Sequence, residues 1–524
     1  MSFYQNSIPD ERIREYLPST RIMAAEKCTS SEILIGKRAI QLDWADSAHC
    51  AVLQSGGFII LDFGLEFQGG IRLLNLRERG RIRLRFGESV SESCGTPDQT
   101  HAMHDTELDV PQMGMLEYGN TAFRFVRIDN VGDVELRLQN IIGIAVFRDL
   151  KPFGAFHCSD DRLNQIWETA GYTLLLNMQD YIYDGVKRDR AVWMGDLHPE
   201  VRGICAVYND FTVLKKSLDF IVRTTPLESQ MNGITSYTCW WVICLADFFH
   251  RTGDLKYVQE YIDYLDARLR QFADFIAPDG SERLPGRRFL DWPNDRDDTA
   301  KHAGLQGLMV LMFQSGIELL KVFGRESSYA QTALQKLCRH IPDCGRSKAA
   351  AALLTLSGIQ DRSDVLADDP LHGVSTFYGF YMLLAKPTIP ALELIRHYWG
   401  AMLDRGATTF WEDFNLDWLE NTGRIDEFTA AGMQDLHANF GDFCYKGLRH
   451  SLCHGWSCGP LPFLSERIFG VKFLSPGGTK IRFIPDLGDL KWAEGTIPCA
   501  LGKIEVKLKA DHKPEIILPD GVGL

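Results

Sequence analysis

Between Tyr183 and Glu200 the chain reads YDGVKRDRAVWMGDLHPE, a short stretch holding four carboxylates, Asp184, Asp189, Asp196 and Glu200, with Arg188, Arg190 and Trp193 among them. Far downstream, RGATTFWEDF places Trp411, Glu412 and Asp413 together. Two carboxyls are the minimum for hydrolysing an acetal. In the single-displacement form they stand about 6.5–9.5 Å apart, one protonated to assist the leaving oxygen and one ionised to activate water. A carboxyl beside arginines is biased toward its ionised form, which suits a base or a hydroxyl-binding role, so the acid must rely on burial.

Each motif also has a purely structural reading. The first could be a charged surface loop with Asp196 capping the following helix. In the second, Thr409 could cap a helix whose first turn carries Glu412 and Asp413, as the helix dipole favours. Aromatic residues interleave with the acidic ones at Tyr237-Thr-Cys-Trp240-Trp241, Phe289-Leu290-Asp291-Trp292 and His454-Gly-Trp456. Sugar rings present apolar C–H faces and hydroxyl edges, so indoles beside carboxylates suit them. The basic run Arg283 to Arg288 reads as a solvated loop.

These residues must be held by more than one domain, because 524 residues exceed an ordinary single core. From about residue 30 to 155 hydrophobic residues alternate with period two, as in GFIILDFG and FRFVRIDN, and glycine punctuates the runs; this predicts a β-sandwich. Ser91 to Gly114 reads as a long loop. After Pro152 the period becomes 3.6, starting with DDRLNQIWETAGYTLLLN, which Asp160 or Ser159 would cap. Helical segments continue to about residue 468 in paired fashion, suggesting six hairpins, and strand grammar returns from Val471. The expected fold class is therefore multidomain and mainly α, an (α/α)6 barrel over 156–468 flanked by a β-sandwich over 1–155 and a small C-terminal β-sandwich over 469–524.

Composition excludes some classes of function. A formal net charge of −13 argues against nucleic acid as partner, since phosphate binding needs clustered basic residues. No uninterrupted apolar run reaches the length that spans a bilayer, so no membrane partner is expected. MSFYQNSIPDERIREYLP lacks the basic-then-apolar grammar of a secretory leader, although a leader already removed would leave no trace. Thirteen cysteines, an odd number without CxxC pairs, favour reduced thiols in a cytosolic protein over disulfides or a zinc site. No metal and no cofactor are expected.

At these motifs the sequence resembles the inverting α-L-rhamnosidases of glycoside hydrolase family 78, over most of the chain. ILDFGLEFQGGIRL followed by LRFGE is similar to that family's domain preceding the barrel, and GAFHCSDDRLNQIW to its lead-in to the first barrel helix. Asp184-x-x-x-Arg188-Asp189-Arg190-x-x-Trp193-x-Gly195-Asp196 is similar to its signature loop, and ATTFWE to its second carboxylate motif; SLCHGWSCGP and LKWAEGTIPCALGKIEV also fit. The resemblance implies that Glu412 is the general base, that Asp184, Arg188 and Asp196 bind rhamnose hydroxyls, and that Trp193, Trp292 and one of Trp240 or Trp241 wall the sugar. Asp291 beside Trp292 is grouped with these, and His454 is placed near the base.

One position departs from the family pattern. A glutamate acid usually follows the arginine or an Arg-Asp pair, whereas this chain reads Arg188-Asp189-Arg190. Asp189 is the best replacement, one methylene shorter. The implied activity is exo-acting removal of α-L-rhamnose from small oligosaccharides or glycosides. Alternatives are the same fold acting on another deoxyhexose or a uronic acid, or a carbohydrate-binding protein that has lost catalysis.

Overall fold

The structure is a computed structural model that describes residues 7–36, 39–441 and 446–524. Met1 to Asn6, which open the stretch inspected for a leader, lie outside the described residues, as does Cys444. The other twelve cysteines are free thiols.

The N-terminal region is built from β1 (Arg12–Pro18), β2 (Arg21–Thr29), β3 (Ala51–Asn75), β4 (Gly80–Gly87), β5 (Asp105–Val110), β6 (Gly114–Asn130) and β7 (Leu136–Arg148). They form one connected seven-stranded sheet in the order β1-β7-β3-β6-β4-β5, with β2 also on β3. The 25-residue β3 bends at register shifts between Asp62/Phe67 and Gly69/Ile71, which lets it serve several partners. Inward residues Leu61, Phe63, Phe67, Phe86 and Phe123 form the core; Phe67 and Phe123 have ring centroids 4.5 Å apart. The stretch after Ser91 is not the expected long loop: Val90–Cys94 and Pro97–Thr100 are short helices, and β5 pairs with β4.

The helical region opens with Asp161–Asn177, capped by Asp160, whose carboxylate accepts the N–H groups of Arg162 and Leu163. Successive helices include Leu197–Val207, Thr212–Arg223, Thr235–Thr252, Ile262–Ala273, Asp298–Val322, Ser328–Leu337, Lys348–Ser357 and Pro460–Phe469. Asp298–Val322 is by length and composition alone long and apolar enough to cross a membrane, but most of it is buried within this region.

The mainly-α expectation is wrong. The chain is 37% helix and 25% strand, because the long strands β3, β6 and β7 put much of the sequence into sheet. The C-terminal element is not a separate sandwich either. It is a four-stranded antiparallel sheet that recruits β8 (Ala155–Cys158) from before the helices, next to β11 (Trp492–Cys499), β12 (Gly502–Lys509) and β13 (Glu515–Ile517). A two-stranded ribbon, β9 (Val471–Phe473) with β10 (Ile481–Phe483), accompanies it. Strand β12 buries alternate residues Ile504, Val506 and Leu508, and these join the same apolar core as the helices. A sheet with one apolar face, covered by helices, has no need of a second sheet.

Candidate active site

Three segments meet at one end of the helical region. Main-chain bonds zip them together: Gly455 N–H to Asp184 O (2.8 Å), His454 N–H to Phe410 O (2.9 Å) and Glu412 N–H to Ser451 O (3.0 Å). The 184–191 loop closes on itself, with Asp184 N–H donating to Ala191 O (3.1 Å) and Ala191 N–H to Asp184 Oδ1 (3.0 Å). At its tip Asp189 and Arg190 both have φ of 55°, and Arg190 N–H donates to Arg188 O (2.8 Å). Aspartate enters the left-handed region more readily than glutamate, a local reason for the shorter side chain at position 189.

The pocket they form is lined by Asp184, Arg188, Asp189, Trp193, Asp196, Glu412 and His454, with an aromatic wall. In that wall Trp193 meets Tyr237 edge-on (6.2 Å between centroids), Tyr237 meets Phe289 (6.1 Å) and Phe289 meets Trp292 (5.1 Å). Gly195 permits this: a Cβ there would fall 2.3 Å from the Tyr237 ring. Trp456, Ile234 and Arg287 complete the lining.

Arg188 is the electrostatic centre. Its Nη2 is ion-paired with Glu412 Oε1, and its Nη1 lies 3.6 Å from Asp189 Oδ2. The second oxygen of Glu412 accepts the Ser451 N–H at 3.3 Å, and the Glu412 carbonyl accepts Trp456 Nε1 (2.8 Å) and Thr376 Oγ1 (2.5 Å). Burial pushes the Glu412 carboxyl above its ordinary range, and Arg188 and the Ser451 N–H restrain that rise. Burial holds Asp184 and Asp196 well above the usual carboxylate range; Asp196 adds to the rise at Asp184, and a bond from Tyr237 OH (3.1 Å) moderates it at Asp196. Burial also keeps His454 neutral, with its pKa well below the usual imidazole value. The Asp189 side chain is 37% exposed against 5% for Glu412, so it stands at the mouth while Glu412 lies inside. Arg449 approaches it from outside at 3.9 Å.

Eight of the residues singled out from sequence therefore share one pocket: Asp184, Arg188, Asp189, Trp193, Asp196, Trp292, Glu412 and His454. Three do not line it. Trp240 stacks on His198 (5.0 Å) and Trp241 packs edge-on against Tyr264 (5.2 Å), both within the helical core. Each such buried aromatic stabilises the fold by about 2–3 kcal/mol. Asp291 is buried and accepts bonds from Asn294 N–H (3.1 Å) and Ser375 Oγ (3.0 Å), holding the turn behind Trp292.

Two local expectations also fail. Asp196 makes no side-chain cap; its carboxylate is drawn to Tyr237 instead. Thr409 starts no helix: its hydroxyl bonds Glu66 Oε2 (2.9 Å) and Leu452 O (2.7 Å), and Glu412 sits on a loop. Arg287, in the basic run read as a solvated loop, is exposed as that reading expects, and it also lines the pocket, over Phe289 and Trp292 (5.5 and 5.3 Å). The signal for it was the Arg-Arg-Phe-Leu-Asp-Trp run, where a cation precedes two aromatic residues. Among the described residues, Glu88, Glu92 and His437 have spacing that could hold a metal ion, but the Lys187 ammonium already sits between the two glutamates, 2.9 and 3.1 Å from them.

Residues 151–313 match the family model described as the bacterial α-L-rhamnosidase six-hairpin glycosidase domain. The sequence matches no curated protein. Among solved structures the chain is similar to a family 78 rhamnosidase of Bacillus sp. GL1 (TM-score 0.72, 19% identity, 94% of this chain and 56% of that one). It is also similar to a Klebsiella oxytoca rhamnosidase with rhamnose bound (TM-score 0.66, 21% identity, 87% and 96% covered). A third is a Streptomyces avermitilis α-L-rhamnosidase complexed with L-rhamnose (TM-score 0.68, 15% identity, 94% and 48% covered). The chain thus spans about half the length of the Bacillus and Streptomyces proteins and nearly all of the Klebsiella one. At these identities the likeness establishes the fold, and the resemblance to family 78 α-L-rhamnosidases drawn from the motifs holds.

Proposed function

We propose that this protein is an exo-acting α-L-rhamnosidase working by single displacement with inversion. The observation that carries this reading is the placement of Glu412 and Asp189 on the two amino groups of one guanidinium, Arg188, with one carboxyl inside and the other at the mouth of the same aromatic-walled pocket.

In this reading the Glu412 carboxylate, oriented by Arg188 and Ser451, takes a proton from a water molecule as the water attacks the anomeric carbon. Asp189 gives its proton to the glycosidic oxygen as the bond to the aglycone breaks, and β-L-rhamnose and the free aglycone alcohol leave. Asp184 and Asp196, held largely protonated, can donate to sugar oxygens. Trp193 Nε1 is a buried donor with no partner among the described residues, which fits a group that awaits a ligand.

A second reading, sugar binding without hydrolysis, is favoured by Asp189 itself. It is one methylene shorter than glutamate, and Arg188 and Arg449 stand 3.6 and 3.9 Å from its carboxyl oxygens, where they can hold it away from a leaving oxygen. Incubation with p-nitrophenyl glycosides of α-L-rhamnose, α-L-fucose, α-L-arabinose and β-D-glucuronate separates the readings. Release from the rhamnoside alone supports the proposal; binding of L-rhamnose with no release from any of them supports the second reading.

A further inference from the structure

No residue of the N-terminal sheet lines the pocket among the described residues, yet the turn after β4 reaches Glu412 by three routes. Glu88 and Lys187, both wholly buried, pair at 2.9 Å across the interface between sheet and helices. Lys187 Nζ also meets Glu92 (3.1 Å) and donates to the carbonyls of Leu448 (2.9 Å) and His450 (2.5 Å). Glu88 in turn accepts the Leu452 N–H at 2.6 Å and the Ser451 hydroxyl at 3.4 Å, and the Ser451 N–H is the donor to Glu412 Oε2.

The second route runs through histidines. Ser89 Oγ bonds His437 Nδ1 (2.7 Å), His437 Nε2 donates to His450 O (2.8 Å), and His450 Nε2 accepts the N–H of Asp413 (2.9 Å), the neighbour of Glu412. Both imidazoles are buried and neutral, so each presents one donor and one acceptor. The third route is covalent: Lys187 immediately precedes Arg188, the ion-pair partner of Glu412.

Holding domains together would not by itself require such a cluster. Glu66, Glu88 and Glu92 are all buried around a single ammonium, and burial with the nearby Glu88 charge pushes the Glu66 carboxyl well above its usual range. Buried ion pairs of this kind often stabilise less than apolar packing would, so geometry rather than stability is what they supply.

We propose that Glu88 and Lys187 are positioning residues of the active site, through which the N-terminal sheet sets the orientation of the Glu412 carboxylate; this rests on reading Glu412 as the general base. The charged and titratable groups facing Glu412 are Arg188, Asp189 and His454, with Asp184 and Asp196 beyond the imidazole.

The test is Glu88→Gln in the full chain, an isosteric change that removes one of the two charges paired with Lys187 and the one that also accepts the Leu452 N–H. Turnover of p-nitrophenyl α-L-rhamnoside would be measured against pH, and the Glu412 carboxyl titrated by difference infrared spectroscopy with Glu412→Gln as blank. We expect kcat to fall about tenfold or more with KM nearly unchanged. The titration of Glu412 should move to higher pH, because the restraining Ser451 N–H is loosened. A folded variant with a lower melting temperature but unchanged kcat and unchanged Glu412 titration overturns the proposal. If Glu88→Gln does not fold, His437→Asn interrupts the second route and is judged by the same two readouts. The infrared titration is independent of turnover, so it decides the positioning claim even if the wild type proves inactive on rhamnosides.

Discussion

His454 Nε2 stands 3.6 Å from Glu412 Oε1, at the point where the two carboxylate motifs come together. The same nitrogen lies 3.8 Å from Asp196 Oδ2 and 4.0 Å from Asp184 Oδ2, so one neutral imidazole separates three buried acids. Removing it would open a cavity among the three acids and free the Glu412 carboxyl to shift. His454→Ala should lower kcat/KM by about a hundredfold, the scale of loss when reacting groups shift by an ångström. Steady-state kinetics and L-rhamnose titration calorimetry check this; unchanged kinetics would make His454 a packing residue.

The pH profile follows from Glu412. Burial raises its pKa, so the carboxyl stays protonated to a higher pH than an ordinary glutamate. A base must be ionised, so activity is lost as pH falls through this raised value. The acid limb of kcat/KM should therefore lie above the usual glutamate range. Arg188→Gln removes the countercharge and should move that limb further up while depressing the plateau. A limb unmoved in Arg188→Gln would show that another group titrates there.

Asp189 at the mouth makes a prediction that depends on the leaving group. Aryl leaving groups need little protonation, whereas sugar and alkyl leaving groups need the acid. Asp189→Asn should keep most activity on p-nitrophenyl rhamnoside and lose about 10²–10⁴-fold on a rhamnosyl disaccharide. Asp189→Glu should restore the latter only in part, since φ of 55° at this position disfavours the longer residue. Equal loss on both substrates would assign proton donation elsewhere.

Glu200 offers a stability test away from the pocket. It is buried against Gly455, where a Cβ would collide with its carboxyl, and its Oε1 has no partner among the described residues. Burial and the nearby Asp196 hold its pKa well above the ordinary value. A raised folded-state pKa means that the folded form favours the proton. The associated stability is present at acid pH and declines once pH rises above the unfolded value of about 4.3. Glu200→Gln does not titrate and should be more stable than wild type at pH 8 by on the order of 1 kcal/mol, with the gain vanishing near pH 4. Denaturant melts at the two pH values measure it; a loss at pH 8 would mean that the carboxylate has an ionic partner.

Much of this arrangement could be read from residue order because the loop 184–196 carries its own constraints: a tight turn at Asp189, glycines at 185 and 195, and alternating charge. What could not be read was orientation. Tyr237, Trp240 and Trp241 share one helix face at i, i+3 and i+4, and only the packing of Trp240 on His198 and Trp241 on Tyr264 leaves Tyr237 for the pocket. Arg287 is exposed, and its place at the pocket was not legible because its partners there are rings rather than acids. The pairing of Glu88 with Lys187, and of β8 with β11, joins residues far apart in the chain that no local period connects.

The most direct test of the central claim is Glu412→Gln, compared with wild type on p-nitrophenyl α-L-rhamnoside while the anomeric proton of the released sugar is followed by NMR. The expected result is β-L-rhamnose as the first product of the wild type, and a loss of turnover by about 10³-fold or more in the variant with L-rhamnose still bound. α-L-rhamnose as first product, or full turnover in Glu412→Gln, would contradict inversion with Glu412 as the base.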